Sequence, residues 1–327
     1  MRRNILALCD GDEAYIYRLR ELLLSRGSFP LTVSCFTEEK AFLEKLKKTE
    51  PALILAGESF YRLAETLPDH PPLLLLKETA GESTGKDHIW KYQSGEKIRR
   101  QLMEHCAAET TPAPGKGGSK KTELVAVFSP VCRSIQTSFS LLMGQFLAKN
   151  GSVLYLNFEP FSGLSQLLKN PGDRDLTDLI YYMEGGKERL VYKLESMVSN
   201  VNGLDYISPA FSFVDLGEVQ EESWLMLIRT LKEMGSYDHV ILDLSEMVHG
   251  LLNVLRECDR IYTLADREGL ELARMEQYEE LMRSLDYGDI LERAKRCEIP
   301  RFKKLPSGLE ELPYSDLAAF VRKVMET

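Results

Sequence analysis

The chain has 327 residues, of which 44% are hydrophobic and 28% charged, and its formal net charge is −9. That acidic balance excludes general affinity for nucleic acid, which needs clustered Lys and Arg. No apolar run reaches the roughly 20 residues of a membrane-spanning helix, and at about 150 residues per domain the length predicts two domains.

The start, Met1-Arg-Arg-Asn-Ile-Leu-Ala-Leu-Cys9, is basic and then apolar, but the apolar part soon meets an acidic cluster and is too short for a signal peptide. It reads as a first strand, 4–9, followed by Asp10, Gly11 and Asp12. Tyr15, Leu19, Leu22 and Leu23 keep helical spacing. Strands are predicted at 31–36, 51–57, 72–76 and 89–92, with helices around Ala41–Leu46 and from Ser94 onward. Strands alternating with helices predict a parallel sheet, because parallel neighbours need a crossover. Residues 107–122, rich in Pro, Gly, Ser, Thr and Lys and without periodicity, predict a flexible linker.

The second half repeats the alternation. Strands are predicted at 124–128, 151–157, 204–207, 237–243 and 259–265, and helices at 164–168, 176–183, 189–198, 224–234, about 268–286 and from Ser315, with a further segment at 293–300. The six cysteines (9, 35, 106, 132, 258 and 297) show no CxxC spacing and no nearby His at ligand spacing, so they read as reduced structural thiols.

The stretch Glu123–Ala148 is a buried strand, a turn (Ser129–Gln136) and a helix from about Thr137, the layout of a phosphate cradle. The spacing fits G-x-x-x-x-G-K-[ST] with Thr137 in the last place. Pro130 and Ile135 stand at the glycine positions, however, and Gln136 at the lysine. A β-branched residue avoids the positive φ that glycine supplies, and Gln136 donates hydrogen bonds without charge. Thr137 serves either as a Mg²⁺ contact or as a helix N-cap. Asp243 ends an apolar strand, where it is either a metal-holding acid or a solvated strand end.

Residues 3–105 resemble a response-regulator receiver domain. Asp10 and Asp12 fall near that family's acidic pair, and Lys91-Tyr92 falls where it has Lys-Pro. The phosphoacceptor aspartate is replaced by Gly57, which has no side chain to attack a phosphoryl donor. The resemblance therefore implies a pseudo-receiver used for docking, with Asp10 and Asp12 forming a turn that caps the next helix.

Residues 123–327 resemble the ParA/MinD family of deviant P-loop ATPases through four segments in order: 129–138, Val153–Pro160, Tyr237–Leu244 and Cys258–Leu264. The wording Ser129-Pro-Val, Leu204–Pro209 and Tyr237–Ser245 resembles its TadZ/CpaE branch, which joins a receiver-like domain to a ParA/MinD-like one. The resemblance implies two doubly wound, mainly parallel three-layer α/β domains: a receiver-like one of flavodoxin-like order at 1–106, then a P-loop NTPase fold at 123–327. It implies ATP and Mg²⁺ as cofactors, with Arg133, Ser134, Gln136, Thr137, Ser138, Glu159 and Asp243 around the nucleotide and Thr137 and Asp243 at the metal. The family's signature lysine would fall at Val131, and Arg133 two residues on is the candidate for a substitute cation, a choice left to the geometry. Asn157 and Glu159 replace two aspartates. These departures imply weak or lost ATP binding and hydrolysis. The implied role is a cytoplasmic, polar scaffold of Tad-type (Flp) pilus assembly that binds pilus assembly proteins and a second copy of itself. An active ATPase that dimerises on ATP is the alternative, and position 136 discriminates between the two.

Overall fold

The computed structural model describes residues 3–25, 29–68, 70–79, 88–109, 121–131, 133–168, 174–184, 190–265, 269–302, 304–306 and 308–326. Residues 110–120 of the expected linker lie outside these. The chain divides into two compact units, 1–116 with 186–196, and 117–185 with 197–327.

The first unit holds β1 (Arg3–Cys9), α1 (Glu13–Leu24), β2 (Thr32–Phe36), α2 (Glu39–Lys48), β3 (Pro51–Ala56), α3 (Glu58–Glu65), β4 (Leu73–Lys77), β5 (His88–Trp90) and α4 (Gly95–Glu109). Its sheet runs β2-β1-β3-β4-β5 and is parallel throughout, the flavodoxin-like order. Side chains alternate across the sheet. Leu6, Leu8, Leu53 and Leu55 gather with Ile16 of α1 and Leu102 of α4 on one face. Ala7, Cys9, Ile54 and Ala56 gather with Phe42 of α2 and Phe60 of α3 on the other. Burying one such leucine fully contributes about 1.5–3 kcal/mol. Residues 190–196 supply Tyr192 to this core and Glu195 to a buried ion pair with Arg99.

The second unit contains β6 (Glu123–Phe128), α5 (Arg133–Leu147), β7 (Val153–Asn157), α6 (Leu164–Leu167) and α7 (Leu176–Glu184). After α8 (Leu190–Met197) come β8 (Ser199–Val201), β9 (Leu204–Tyr206), α9 (Phe213–Glu218), α10 (Glu221–Met234), β10 (His239–Asp243), α11 (Leu251–Glu257) and β11 (Arg260–Ala265). The chain closes with α12 (Gly269–Ser284), α13 (Gly288–Arg293), β12 (Ala294–Glu298) and α14 (Asp316–Glu326). The sheet order is β12-β11-β6-β10-β7-β9-β8, parallel except for the β8–β9 hairpin. That hairpin turns at Asn202 (φ 52°) and Gly203 (φ 87°), two left-handed positions that match the twist of the paired strands.

Val125, Val127, Tyr155 and Ile241 pack with Phe139 of α5 and Val321 of α14. On the opposite face Phe128 meets Tyr278 of α12 at 5.6 Å and Phe158 meets Trp224 of α10 at 5.1 Å between ring centroids. The apolar stripe of α14 (Leu317, Ala318, Val321, Val324) is buried, so packing on the sheet uses the face that a membrane-surface helix would need. Among the described residues no helix is long and apolar enough to cross a membrane.

The helix α5 differs most from expectation. It begins at Arg133 rather than near Thr137, so the helix takes up the second half of the expected turn. No described residue from 129 to 138 has positive φ. Ile135 and Gln136 are residues that favour αR over the left-handed region, and they extend the helix where glycines would have opened a loop. Thr137 consequently lies within α5 and is not its N-cap.

Candidate functional site

In a parallel sheet the segments that leave the carboxyl ends of the strands collect along one edge, where α/β folds form their sites. In the second unit this edge gathers Gln136, Thr137 and Ser138 of α5, Glu159 after β7 and Asp243 at the end of β10. Asn157 and Asp243 are register partners on neighbouring strands.

Asp243 has no exposed surface. Its Oδ1 accepts a hydrogen bond from Gln136 Nε2 at 2.7 Å. Its Oδ2 accepts from the Tyr155 hydroxyl at 2.7 Å and from Asn157 Nδ2 at 2.8 Å. Burial pushes the Asp243 pKa up from the ordinary carboxylate range, and the bonds from Gln136, Tyr155 and Asn157 pull the other way without cancelling it. Burial, and then the neighbouring Asp243 charge, push the Tyr155 pKa well above its ordinary value, so the phenol stays a donor.

Gln136, equally buried, gives its second amide hydrogen to the Leu244 carbonyl at 2.8 Å, and the same nitrogen lies 3.5 Å from Glu159 Oε1. Its Oε1 is buried with no donor among the described residues. Asn157 Oδ1 accepts from the Glu159 backbone N–H at 3.0 Å, and the Ser245 hydroxyl donates to the Phe158 carbonyl at 2.6 Å. At the base of the loop, Ser129 Oγ donates to the Leu264 carbonyl at 2.8 Å and accepts from the Val131 N–H at 3.1 Å.

The edge therefore carries a cross-strand hydrogen-bond network centred on one buried carboxylate. A phosphate cradle needs an open loop of N–H groups and a cation, and a magnesium seat needs an acid and a hydroxyl free to take part in its coordination. In this chain Gln136 sits inside a helix, and both Asp243 oxygens are committed to the donors of Gln136, Tyr155 and Asn157. Among the described residues, the closed arrangement around Asp243 does not fit a nucleotide–magnesium pair. Arg133 and Ser134 open α5, but their side chains lie outside the described residues. Ser138 does not join the network and instead lines, with Thr137, Glu159 and apolar residues, an open cleft of about 420 Å³.

Tyr155 is the member of the network that the sequence reading missed. The signal was present, because Tyr155 and Asn157 alternate on one face of a strand that is otherwise Val and Leu, and two polar groups on a buried face demand a shared partner.

The corresponding edge of the first unit shows a similar internal neutralisation. Lys91, almost fully buried, reaches Asp10 Oδ2 at 3.1 Å and Glu78 Oε1 at 3.0 Å. Burial draws the Lys91 pKa down, but its bonds to Glu78 and Asp10 outweigh that and hold it above the ordinary value. Asp12 caps α1 by accepting from the Tyr15 N–H at 3.0 Å, while the Asp12 N–H donates to Asp10 Oδ1 at 2.8 Å. These are the turn contacts expected of the acidic pair. A Cβ at Gly57 would lie 2.8 Å from Asp10 Oδ2, so Asp10 occupies space that a side chain at position 57 would need. Among the described residues no group of three or more His, Cys, Asp or Glu is placed to hold a metal ion.

No family model matches the chain, and no curated protein matches it. Solved structures similar to it include a ParA family ATPase from Chlorobium tepidum TLS, 19% identical over 62% of this chain and 81% of that one, with a TM-score of 0.48. A plasmid partition protein from Borrelia burgdorferi is 16% identical over 63% of this chain and 97% of that one, TM-score 0.45. The MinD cell division protein of Aquifex aeolicus is 16% identical over 63% and 98%, TM-score 0.44. Likenesses this distant carry no weight for the chemistry of the site, which rests on its own geometry.

Proposed function

We propose that the chain is a scaffold and localisation factor for assembly of a Tad-type (Flp) pilus, working through protein–protein contacts with little or no ATP hydrolysis. The observation that supports this reading is the closure of Asp243 by Gln136, Tyr155 and Asn157. A nucleotide switch needs that acid available to a hydrated cation, and needs a charged grip on the γ-phosphate that can be released on hydrolysis. Here the chain's own donors occupy both oxygens of the acid. The first unit supports the same reading, with Asp10 and Lys91 neutralising each other and Gly57 lacking a phosphoryl acceptor.

The pilus assignment rests on the resemblance of residues 129–131, 204–209 and 237–245 to the TadZ/CpaE branch, since a fold alone does not license a function. In this reading the chain works in the cytoplasm at a cell pole and binds pilus assembly proteins and a second copy of itself. Clean deletion in the source organism is expected to remove surface pili, and a fluorescent fusion that restores them is expected to gather at a pole. Normal piliation after deletion would overturn the assignment.

A further inference from the structure

The sheet of the second unit ends at β12, and among the described residues no strand pairs with its outer side. Main-chain groups alternate in direction along a strand. The Ile299 N–H donates inward to the Ala265 carbonyl at 2.9 Å, so the N–H and C=O of Arg296 turn outward, and its side chain is exposed. The strand holds no proline, which would remove a donor. Beside it an open groove of about 530 Å³ runs between β12 and α14. Lys295, Arg296 and Glu298 of the strand and Phe320, Lys323 and Val324 of the helix line it. An edge with outward main-chain groups and a groove at its side is the arrangement that accepts a strand from another chain.

Charge decides what this edge accepts. In a chain of net charge −9, residues 293–304 carry six cations and one acid. Lys295 Nζ donates to the Val324 carbonyl at 2.5 Å, an acceptor without charge. Arg296 reaches Glu279 at 3.0 Å, but Arg283 shares that carboxylate at 3.1 Å, so one acid answers two guanidinium groups. The cations stand on both faces of the strand. Lys295 alternates with Arg296, sharing the α14 face with buried Cys297, while Arg296 lies on the α12 face beside Glu279. Two copies of such an edge repel, because like charges across a strand pair are unfavourable. An incoming acidic strand meets a cation whichever face its carboxylates take.

We infer that β12 accepts an extended acidic segment of a partner protein as an added edge strand. Its Asp or Glu side chains pair with Lys295, Arg296 and Lys323, and an apolar side chain between them packs on Phe320. Main-chain hydrogen bonds to the outward groups of Arg296 supply affinity, and the cations supply the choice of partner. In the sheet order β12 stands three strands from β10, so this surface is separate from the site around Asp243. The inference holds whether or not the partner belongs to a pilus.

Fluorescence anisotropy of the full chain with a labelled peptide of alternating Glu and Val, about ten residues long as ordinary strands are at most, tests it. An alternating Lys–Val peptide is the counterpart. Saturable binding of the acidic peptide is expected, about tenfold or more tighter than that of the basic one. Hydrogen exchange over residues 294–299 is expected to slow when the acidic peptide is added. Lys323→Glu is expected to weaken binding about fivefold, the scale of one exposed ion pair. Lys40→Glu, an equal change of net charge on an exposed residue of the first unit, is expected to leave it unchanged. Arg296→Pro is expected to weaken binding more than Arg296→Ala, because proline alone removes the outward N–H. The exchange measurement on the unsubstituted chain decides even where Arg296→Pro does not fold. No saturable binding, equal binding of the two peptides, or binding without slowed exchange at 294–299 overturns the inference. So does an equal loss in Lys323→Glu and Lys40→Glu, or a folded Arg296→Pro that binds as Arg296→Ala does. Protection of the same segment by phosphatidylserine vesicles, with no binding of the acidic peptide, overturns it in favour of a membrane-facing surface.

Discussion

Asp243→Ala is expected to lower the free energy of unfolding by about 2–4 kcal/mol, read as a shift of the denaturant midpoint at constant slope. The substitution removes the acceptor for the Gln136 amide, the Tyr155 hydroxyl and the Asn157 amide. Gln136 keeps the Leu244 carbonyl, and Asn157 still reaches the Tyr155 oxygen at 2.8 Å. Two donor hydrogens are therefore left buried, each costing about 1–3 kcal/mol. Relief of the desolvated charge offsets part of this. Asp243→Asn is expected to be no milder, because its amide would point a donor at an existing donor. An acid kept for a ligand behaves in the opposite way, since functional sites trade stability for activity. A rise in stability on Asp243→Ala would mark the residue as a ligand seat and contradict the structural role.

Lys91→Met is expected to cost about 3–5 kcal/mol. The methionine keeps most of the stem and removes the ammonium, leaving the Asp10 carboxylate buried without its counter-ion. The exposed Glu78 carboxylate contributes little, as surface pairs do. The sign with pH follows from the raised pKa of Lys91. Its stabilisation is complete below the unfolded value, near 10.5, and is lost as pH rises through the folded value. The stability gap between wild type and variant is therefore expected to hold from neutral pH to about 10 and to close only above that. Adding Asp10→Asn to Lys91→Met is expected to recover part of the loss, because the two substitutions remove one shared interaction. Equal stability of wild type and Lys91→Met at neutral pH would show that the pair does not hold the first unit together.

Much of the fold was legible because both sheets are mainly parallel and their central strands are buried on both faces. Runs such as Pro51–Ala56 and His239–Asp243 announce themselves as apolar segments bounded by turns. The hairpin strand β8 was missed although Asn202-Gly203 is a strong turn signal, because three half-buried residues show too little periodicity. The helix α3 was missed although Phe60 and Ala64 share one face, because eight residues are too short a window for that spacing to stand out.

At the site, the residue types were legible and their arrangement was not. The pattern at 129–138 showed that glycine and lysine were absent. Whether Ile135 would strain a loop or wind it into a helix depended on what Gln136 could reach, and that was settled across the sheet by Asp243 and the Leu244 carbonyl, more than 100 residues away in sequence. Local propensity and a distant acceptor agree in this chain, and Ile135 and Gln136 lie in a helix without positive φ.

The central claim is that the donors of α5 and β7 have closed the phosphate site around Asp243. Isothermal titration of the full chain with ATP and Mg²⁺ tests it most directly. The account predicts no saturable heat up to millimolar nucleotide. Saturable binding at micromolar ATP that requires Mg²⁺ and disappears in a folded Asp243→Asn variant would contradict it.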